Sequence, residues 1–354
     1  MQLAIVNAMA DVGWGYALSY DSHSEVADRL ADLDSPAFVV GNDYHGLLHT
    51  LFRLLAQPID CWRLVRFCKR NDVDVLFEVM GHPLQDLPRL LLRLFGVPTI
   101  ISVHDATRHP GEESIFLSVL DRVSRRNTDG IMVYSAATAK ALGNLEKPVF
   151  ETVHGAFGQD QGSGQSREFP TRRPVVGFFG RIHQYKGLTR LTAAVLQLRD
   201  EGMDVELRIV GRGDIDPEAR RNMTLLGATI DNRWVDESEI PEIIQSFDIL
   251  ALPYDEASQS GVVGFALRSG VPIVATPVGG LAEQIRMSGG LVADSMSVGD
   301  YAAAIRAVVS SEANFQAISE AQKRAANDTF SWRRVIGDIR SAAESMMISA
   351  RRRS

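Results

Sequence analysis

Two cations lie close together in a glycine-rich segment near the middle of the chain. Residues 177–187 read Gly-Phe-Phe-Gly-Arg-Ile-His-Gln-Tyr-Lys-Gly and directly follow the apolar run 174–176. A strand that ends here delivers Arg181 and Lys186 to one loop, where a guanidinium and an ammonium bind phosphate through charge-assisted hydrogen bonds. The pattern favours a diphosphate ligand. In isolation, a glycine turn with a surface arginine and lysine explains these residues equally well.

A second segment, residues 253–263, lies between an apolar run and a helical pattern and contains Ser258, Gln259, Ser260 and Gly261. Small side chains at this position leave backbone amides free at a helix N-terminus, which is a ready site for an anion. Serines are also ordinary N-cap residues. The capping role and the phosphate role are compatible, so both remain open.

Short apolar runs alternate with amphipathic stretches and must position these loops. This alternation predicts parallel sheets covered by helices, that is, a doubly wound α/β fold. Residues 158–173 interrupt it, since they are rich in Gly, Gln, Ser and Arg, and we interpret them as an interdomain linker. The predicted strands are 3–6, 37–40, 73–79, 99–103, 130–134 and 149–153 before the linker, and 175–179, 205–210, 229–235, 249–252 and 272–275 after it.

Size and composition agree with two such domains. The chain has 354 residues and a mass of 38.9 kDa, more than one domain usually takes. A net charge of -7 argues against a protein that coats nucleic acid. Cys61 and Cys68 lie about two turns apart on one predicted helix, too far for a disulfide, so we expect a reduced, cytoplasmic protein. The apolar stretch 90–103 contains Arg93, Gly96 and Pro98 and does not read as a membrane span.

The second half resembles the donor domain of the retaining GT-B glycosyltransferases of family 4. The resemblance implies a GT-B fold, with two Rossmann-like domains facing across a cleft. It implies an acceptor-binding domain at 1–160, a donor-binding domain at 170–330, and a C-terminal helix within 331–354 that crosses back to the first domain. The matching segments are Gly180-Arg181, Lys186-Gly187, the turn 209–213, residues 247–253, residues 270–276 and residues 278–283.

The resemblance also implies roles for individual residues. Arg181 and Lys186 would hold the donor diphosphate and stabilise the departing nucleotide. One departure stands out, because Ala257 and Phe265 occupy the positions where the family commonly has two glutamates, and Glu256 is one residue out of register. A Ser-Gln-Ser-Gly loop resembles one branch of the family, so we expect altered sugar and ribose recognition. The remaining donor-binding candidates are Gly180, Glu256, Ser258, Gln259, Ser260, Gly261 and Val262.

In the first half, His104 and Asp105 follow the strand 99–103, and His109 and Glu112 come soon after. A metal site is a minor alternative, since the spacing does not give a helical histidine pair. The resemblance implies that His104 faces the donor sugar as a catalytic residue. We assign Asp105 and His109 to the acceptor side. Glu112 also fits the acceptor entrance, or it caps the next helix.

Gly13 and Trp14 are the other acceptor-binding candidates. They lie in residues 10–16, which follow the first predicted strand and offer glycines for close backbone approach and aromatic faces for a sugar. A turn with partly buried aromatic residues is the simpler interpretation of this segment. Two Asp-x-Asp triplets, at 72–74 and 214–216, are more readily read as solvated loop acids than as metal ligands.

The sequence therefore predicts transfer of a sugar, with retention, from a nucleotide diphosphate sugar to a hydroxyl of a glycan or lipid-linked acceptor. No cofactor and no metal are required, because the two cations neutralise the leaving diphosphate. The alternatives are a catalytically silent GT-B partner or nucleotide-sugar binding protein, and a sugar-nucleotide epimerase. Basic residues of the first half, among them Arg63, Arg66, Lys69, Arg70, Arg89 and Arg93, and the C-terminal Arg351-Arg352-Arg353, suggest peripheral contact with the inner face of a membrane.

Overall fold

The computed structural model describes residues 1–41, 47–80, 86–105, 115–158 and 167–351. Parallel strands separated by helices form a four-stranded sheet in the first half and a six-stranded sheet in the second. Two further strands pair in parallel near the N-terminus. The predicted α/β class is confirmed, and the six-stranded sheet has the strand order of a doubly wound domain.

The first half has six strands in two sheets within its described residues. β1 pairs with β2, and the second sheet has the order β3-β4-β5-β6. The elements are α1 Gln2–Asp11, β1 Leu18–Asp21, α2 Ala27–Ala31, β2 Ala37–Val40, α3 Leu47–Arg70, β3 Leu76–Glu78, α4 Asp86–Leu94, β4 Thr99–Val103, α5 Ile115–Asn127, β5 Gly130–Val133, α6 Ala136–Leu142 and β6 Val149–Glu151.

The second half folds around a sheet of order β12-β11-β10-β7-β8-β9. Its central strands are almost wholly buried, as expected for a parallel sheet covered on both faces. The elements are β7 Val175–Phe179, α7 Leu188–Asp200, β8 Glu206–Val210, α8 Pro217–Leu226, β9 Thr229–Asp231, α9 Ile240–Gln245, β10 Ile249–Leu252, α10 Val262–Ser269, β11 Ile273–Ala275, α11 Gly279–Ser288, β12 Leu291–Val292, α12 Val298–Val309, α13 Glu312–Asn327 and α14 Trp332–Arg351.

The first predicted strand is wrong, because residues 3–6 lie inside α1. The apolar run there is short, and the alanines, Leu3 and Met9 around it favour a helix. The helix buries Ile5, Val6 and Ala8, packs against α14, and ends where Gly13 takes a φ of 67°. In the first half the prediction missed β1, which begins only at Leu18.

One basic residue of the first half does not face solvent. Arg89 is fully buried, and its guanidinium donates to both carboxylate oxygens of Glu78, at 2.8 and 2.6 Å, and to the Ser124 hydroxyl. A buried arginine is retained only when it is paired in this way. Arg89 is therefore not part of a membrane-facing basic surface, whereas Arg63, Arg66, Lys69 and Arg70 are exposed.

The C-terminal helix returns to the first half, as predicted. α14 packs against α1 and β6, and the Asp338 carboxylate accepts a 2.8 Å hydrogen bond from the Thr152 hydroxyl. At its start, the Trp332 indole N–H donates to the Ala156 carbonyl at 2.8 Å. Across the described residues, no helix is both long enough and apolar enough to cross a bilayer.

The contact between Gly155 and Trp332 joins this helix to the segment that leaves the first half. A methyl group on Gly155 would lie 2.5 Å from the Trp332 ring. We expect Gly155→Ala to lower the free energy of unfolding by about 1–3 kcal/mol through overpacking. The measurement is chemical denaturation at constant pH.

Gly337→Ala is the matched control for this substitution. Gly337 lies within α14 and a methyl group there meets nothing within 4 Å. It should raise the free energy of unfolding by up to about 1 kcal/mol, because alanine is the better helix former. Equal stability of the two variants would contradict the tight packing of Trp332 on Gly155.

Candidate functional site

Two loops meet at the centre of the six-stranded sheet. The chain leaves β7 toward β8 on one side, while β10 and β11 lie on the other, so the strand order reverses between β7 and β10. Ligands of open parallel sheets bind beyond the carboxyl ends of the strands at such a switch point. The loop 180–187 follows β7 and the loop 253–261 follows β10, and both cation and amide candidates therefore lie at this crevice.

Glycine is required where these loops approach their neighbours. Gly187 has a φ of 69°, and a side chain on it would meet the Pro253 carbonyl oxygen at 1.9 Å. Gly211, with a φ of 142°, approaches the Gly180 carbonyl equally closely. The Asp255 amide completes the contact by donating to the Tyr185 carbonyl at 2.7 Å. The loops are thus locked together by backbone contacts that side chains would prevent.

The ammonium of Lys186 lies between these two loops. Its Nζ is 3.7 Å from the centre of the Tyr254 ring and 5.1 Å from that of Tyr185. Burial, with a smaller contribution from Arg181, lowers the pKa of Lys186 to about 8, while Tyr185 and Asp105 act in the opposite direction. Within the described residues no carboxylate forms an ion pair with this ammonium. A shielded cation that rests on aromatic faces is well suited to receive an anionic ligand.

Arg181 is exposed at the mouth of the same loop, close enough to affect the pKa of Lys186. Glu256 is exposed on the neighbouring loop. Sequence reasoning missed Arg190, whose guanidinium donates to the Pro253 carbonyl at 2.8 Å and the Asp255 carboxylate at 2.7 Å. Arg190 lies one helical turn after Lys186, and that spacing was the available signal.

The loop before α10 is organised from within. The Ser260 amide donates to the Gln284 side-chain oxygen at 3.0 Å, and the Ser260 hydroxyl lies 3.2 Å from that of Tyr254. Ser260 therefore supports the loop, and its amide is already engaged. Gly261 caps α10, so the amide of Val262 begins the helix, and Ser258 is half-buried beside α11.

His104 approaches this loop from the first half. Its ring stacks on Tyr134 with centroids 4.6 Å apart, and its Nδ1 is 2.8 Å from the Gln259 amide nitrogen. Burial lowers the pKa of His104, although Asp105 acts in the opposite direction. Asp105 also raises the pKa of Lys186, so its carboxylate acts on both groups. The structure thus brings His104, Asp105, Lys186 and Gln259 together at one place.

An aromatic cluster that the sequence did not reveal backs this histidine. His154 lies with its ring 6.4 Å from His104 and 5.1 Å from Phe157, and burial lowers its pKa to about 4. Phe157 stacks on Phe265 at 5.2 Å. Phe265, at the position of the second glutamate of the related family, therefore packs between the two halves. The first such position, Ala257, is buried.

The acceptor candidates are only partly described. Gly13 forms the left-handed turn after α1, and the half-buried Trp14 packs against the main hydrophobic cluster. This supports the simpler interpretation of the segment as a turn with a packed aromatic residue. His109 and Glu112 lie outside the described residues. Of the described part of the chain, no group of three or more His, Cys, Asp or Glu side chains is arranged to hold a metal ion.

An open cavity of about 480 Å³ continues the crevice beyond β8 and β9. The Asn232 side chain exchanges two hydrogen bonds with the backbone of Gly213, at 3.1 and 2.9 Å, and Gly213 forms a bridge with Ile182 beside Arg181. Gly213 thus links the lining of the cavity to the cationic loop. Its lining residues are Arg212, Gly213, Asp214, Asn232, Arg233 and Trp234.

This fold and this site define a class. Two Rossmann-like halves, with a cationic loop at the switch point of the second and a histidine facing it from the first, make up a GT-B fold. Residues 173–311 match the family model described as "Glycosyl transferases group 1". This match covers most of the second half, including the loop that carries Arg181 and Lys186.

Similar proteins agree on the class. The chain is 25% identical to a 2-deoxystreptamine glucosyltransferase of Streptomyces kanamyceticus over 61% of its own length and 62% of that protein. It is 26% identical to a glycogen synthase of Mycobacterium tuberculosis over 90% of its length and 80% of that protein. The match thus spans less than two thirds of the first relative. Both relatives belong to the enzyme class that the sequence predicts, the glycosyltransferases.

Solved structures support the fold over nearly the whole chain. HepE of Anabaena in complex with UDP superposes with a TM-score of 0.70 at 18% identity, covering 97% of this chain and 95% of that one. HepE is also known in complex with UDP-glucose. At this level of identity the likeness establishes the GT-B fold, and substrates require separate evidence.

Proposed function

We propose that this protein transfers a sugar from a nucleotide diphosphate sugar to an acceptor hydroxyl, with retention of anomeric configuration. The observation that carries the proposal is the Lys186 ammonium, shielded between two loops at the switch point without a carboxylate partner among the described residues. Such a cation binds the donor diphosphate and stabilises the charge that develops on it as the glycosidic bond breaks. Arg181 adds a second cation to the same loop.

The cavity beside Gly213 supports an orientation for the donor. With the diphosphate at Lys186 and Arg181, the nucleoside extends toward Asn232 and Trp234, and the sugar lies toward His104 and Gln259. Trp234 is 59% exposed and offers a face on which a base can stack. This orientation fits the behaviour of similar proteins, since HepE, a structural neighbour, binds UDP and UDP-glucose.

The retaining reaction needs no protein nucleophile in this proposal. The acceptor oxygen forms a bond with the anomeric carbon on the face from which the phosphate departs, the bond from that carbon to the phosphate oxygen breaks, and the acceptor proton passes to the departing phosphate. The cations lower the energy of this step because they face the leaving group throughout. The absence of carboxylates at Ala257 and Phe265 is compatible with it.

The acceptor is a glycan or lipid-linked hydroxyl in our proposal, and an exposed patch favours the lipid-linked form. The patch comprises Trp62, Leu94, Phe95 and Lys69, with the Trp62 and Phe95 rings 5.5 Å apart and Lys69 Nζ 4.5 Å from the centre of Phe95. Leu94 is 79% exposed. Apolar side chains beside cations are typical of surfaces that contact anionic membranes, which accords with a cytoplasmic, peripheral location.

Nucleotide binding tests the donor site. We expect UDP, GDP or ADP, with its sugar derivative, to raise the melting temperature of the wild type. The Arg181→Ala/Lys186→Ala variant should bind the same nucleotide at least about 100-fold more weakly, since two charge-assisted bonds are lost. Arg220→Ala, an exposed arginine of α8, is the control and should bind normally. No stabilisation by any nucleotide would favour a catalytically silent partner.

The pH dependence of nucleotide affinity sharpens this test. The free enzyme must carry a charged Lys186 to bind the anion, and its pKa is lowered to about 8. Affinity should therefore fall as the pH rises through about 8, whereas Lys186→Arg should bind without this fall, because arginine stays charged. The same fall in both variants would assign the titration to another group.

The configuration of the product tests the reaction itself. With an α-linked donor, the anomeric proton of the first-formed product should show an α linkage by NMR. The reading is made early, before free sugar formed by hydrolysis mutarotates. A β-linked product would sink the retaining mechanism while leaving the donor site intact.

Vesicle sedimentation tests the membrane contact. At low salt the wild type should sediment with vesicles that contain phosphatidylserine, and Trp62→Ser/Leu94→Ser should sediment less, because apolar contact area is lost. Leu225→Ser, which changes a leucine 73% exposed on α8, is the matched control and should behave like the wild type. A wild type that stays in the supernatant would exclude a membrane role for the patch.

A further inference from the structure

A hydrogen bond between the two halves of the protein crosses the site. The Gln259 amide nitrogen of the loop before α10 lies 2.8 Å from Nδ1 of His104, which follows β4. The two residues are 155 positions apart in the chain, and each comes from the carboxyl end of a central strand. Gln259 is thus the residue of the donor half that touches the histidine of the first half.

The partners of His104 fix its protonation state. Nε2 lies 3.2 Å from the Val79 carbonyl oxygen, which only accepts, so Nε2 carries the proton. Nδ1 faces the amide NH₂ of Gln259, which only donates, so Nδ1 is unprotonated and accepts. A glutamine turned the other way would place its oxygen against the lone pair of Nδ1. The ring is therefore the neutral Nε2–H tautomer, held from both sides.

The other end of the Gln259 amide is unsatisfied. Its Oε1 is buried and has no hydrogen-bond partner among the described residues. Buried carbonyl oxygens are nearly always hydrogen-bonded, so an unpartnered acceptor on the loop of the proposed donor site calls for a partner that a ligand can supply. The missing partner must be a donor, which excludes a phosphate oxygen and fits a hydroxyl.

We propose that Gln259 determines specificity for the transferred sugar by accepting a sugar hydroxyl at Oε1 while its NH₂ holds His104 as a neutral acceptor-donor ring. This inference rests on the proposed function, since it needs a nucleotide diphosphate sugar in the crevice. The positions of the groups support this assignment. The phosphates bind at Lys186 of the loop 180–187, and the Gln259 amide lies on the adjoining loop 253–261, next to His104 of the first half. The Gln259 amide then binds the sugar through its oxygen and fixes the tautomer of His104 through its NH₂.

Two substitutions separate the two ends of the amide. Gln259→Leu removes both ends, whereas Gln259→Glu keeps an oxygen for the sugar hydroxyl and removes the NH₂ that faces His104. Gln316→Leu, a glutamine on the surface of α13, is the matched control. Calorimetry measures the affinity for each nucleotide and for the matching nucleotide sugar. The pairs are UDP with UDP-glucose, GDP with GDP-mannose and ADP with ADP-glucose.

The sugar contact predicts a difference between paired ligands. In Gln259→Leu the nucleotide sugar should bind about 10-fold more weakly than in the wild type, the size of one hydrogen bond, while the bare nucleotide keeps its affinity. Gln259→Glu should keep most of the preference for the nucleotide sugar. Equal losses for nucleotide and nucleotide sugar in Gln259→Leu would reduce Gln259 to a structural residue and overturn the proposal. Binding of no nucleotide by the wild type would instead remove the proposed function.

The histidine contact has a readout that needs no ligand. The groups that face His104 are Asp105, Tyr134, His154 and the N-terminal ammonium, and none of them changes in these variants. NMR titration should find His104 as the Nε2–H tautomer with a pKa below 6.5 in the wild type, and with a pKa above 6.5 in Gln259→Glu, where a carboxylate favours the imidazolium. The same titration in both proteins would overturn the role of Gln259 in setting His104, whatever the ligands do.

Discussion

The burial of one ammonium between two strand-end loops is the constraint on which the rest of the site depends. Lys186 leaves water without gaining a carboxylate among the described residues, and the cost appears as a pKa lowered to about 8. Cation–π contacts with the rings of Tyr254 and Tyr185 offset part of the free energy that burial of the ammonium costs. To hold the cation there, the two loops must touch, and this explains why Gly187 faces the Pro253 carbonyl and why Arg190 ties that carbonyl to α7.

The sheet makes this arrangement possible. In a parallel sheet whose strand order reverses between β7 and β10, the chain leaves these two strands in opposite directions. The loops that follow the two strands therefore border a crevice at the carboxyl ends of the strands. The second half can therefore bind an anion with backbone geometry and two cations alone. The first half contributes a neutral ring, because burial lowers the pKa of His104, and a neutral ring can orient a ligand through a hydrogen bond. The second half therefore supplies the positive charge, and the first half supplies a neutral hydrogen-bonding group.

The second half was largely predictable from sequence because its elements are short, buried and separated by glycines. β7 and β10 have the bounds expected from the apolar runs. The first half was harder. The run 3–6 is too short to distinguish a strand from a helix by periodicity, and only packing on α14, a contact with the far end of the chain, decides it. The burial of Arg89 depends in the same way on Glu78 and Ser124, which no local pattern pairs with it.

The site shows the same division. Arg181 and Lys186 follow a strand directly, so their place was readable, but the bond between Gln259 and His104 joins residues of different sheets and required coordinates. The changed positions also acquire meaning only in three dimensions. Phe265 stacks on Phe157 between the halves, and Ala257 is buried, so neither leaves a gap where a carboxylate would have reached a ligand. Because those two side chains pack inside the protein, a polar group that binds the sugar has to come from another residue of the loop. The oxygen of Gln259, which is buried and has no partner among the described residues, is such a group. A neutral amide there also adds no negative charge that would compete with the diphosphate for the cations of the β7 loop.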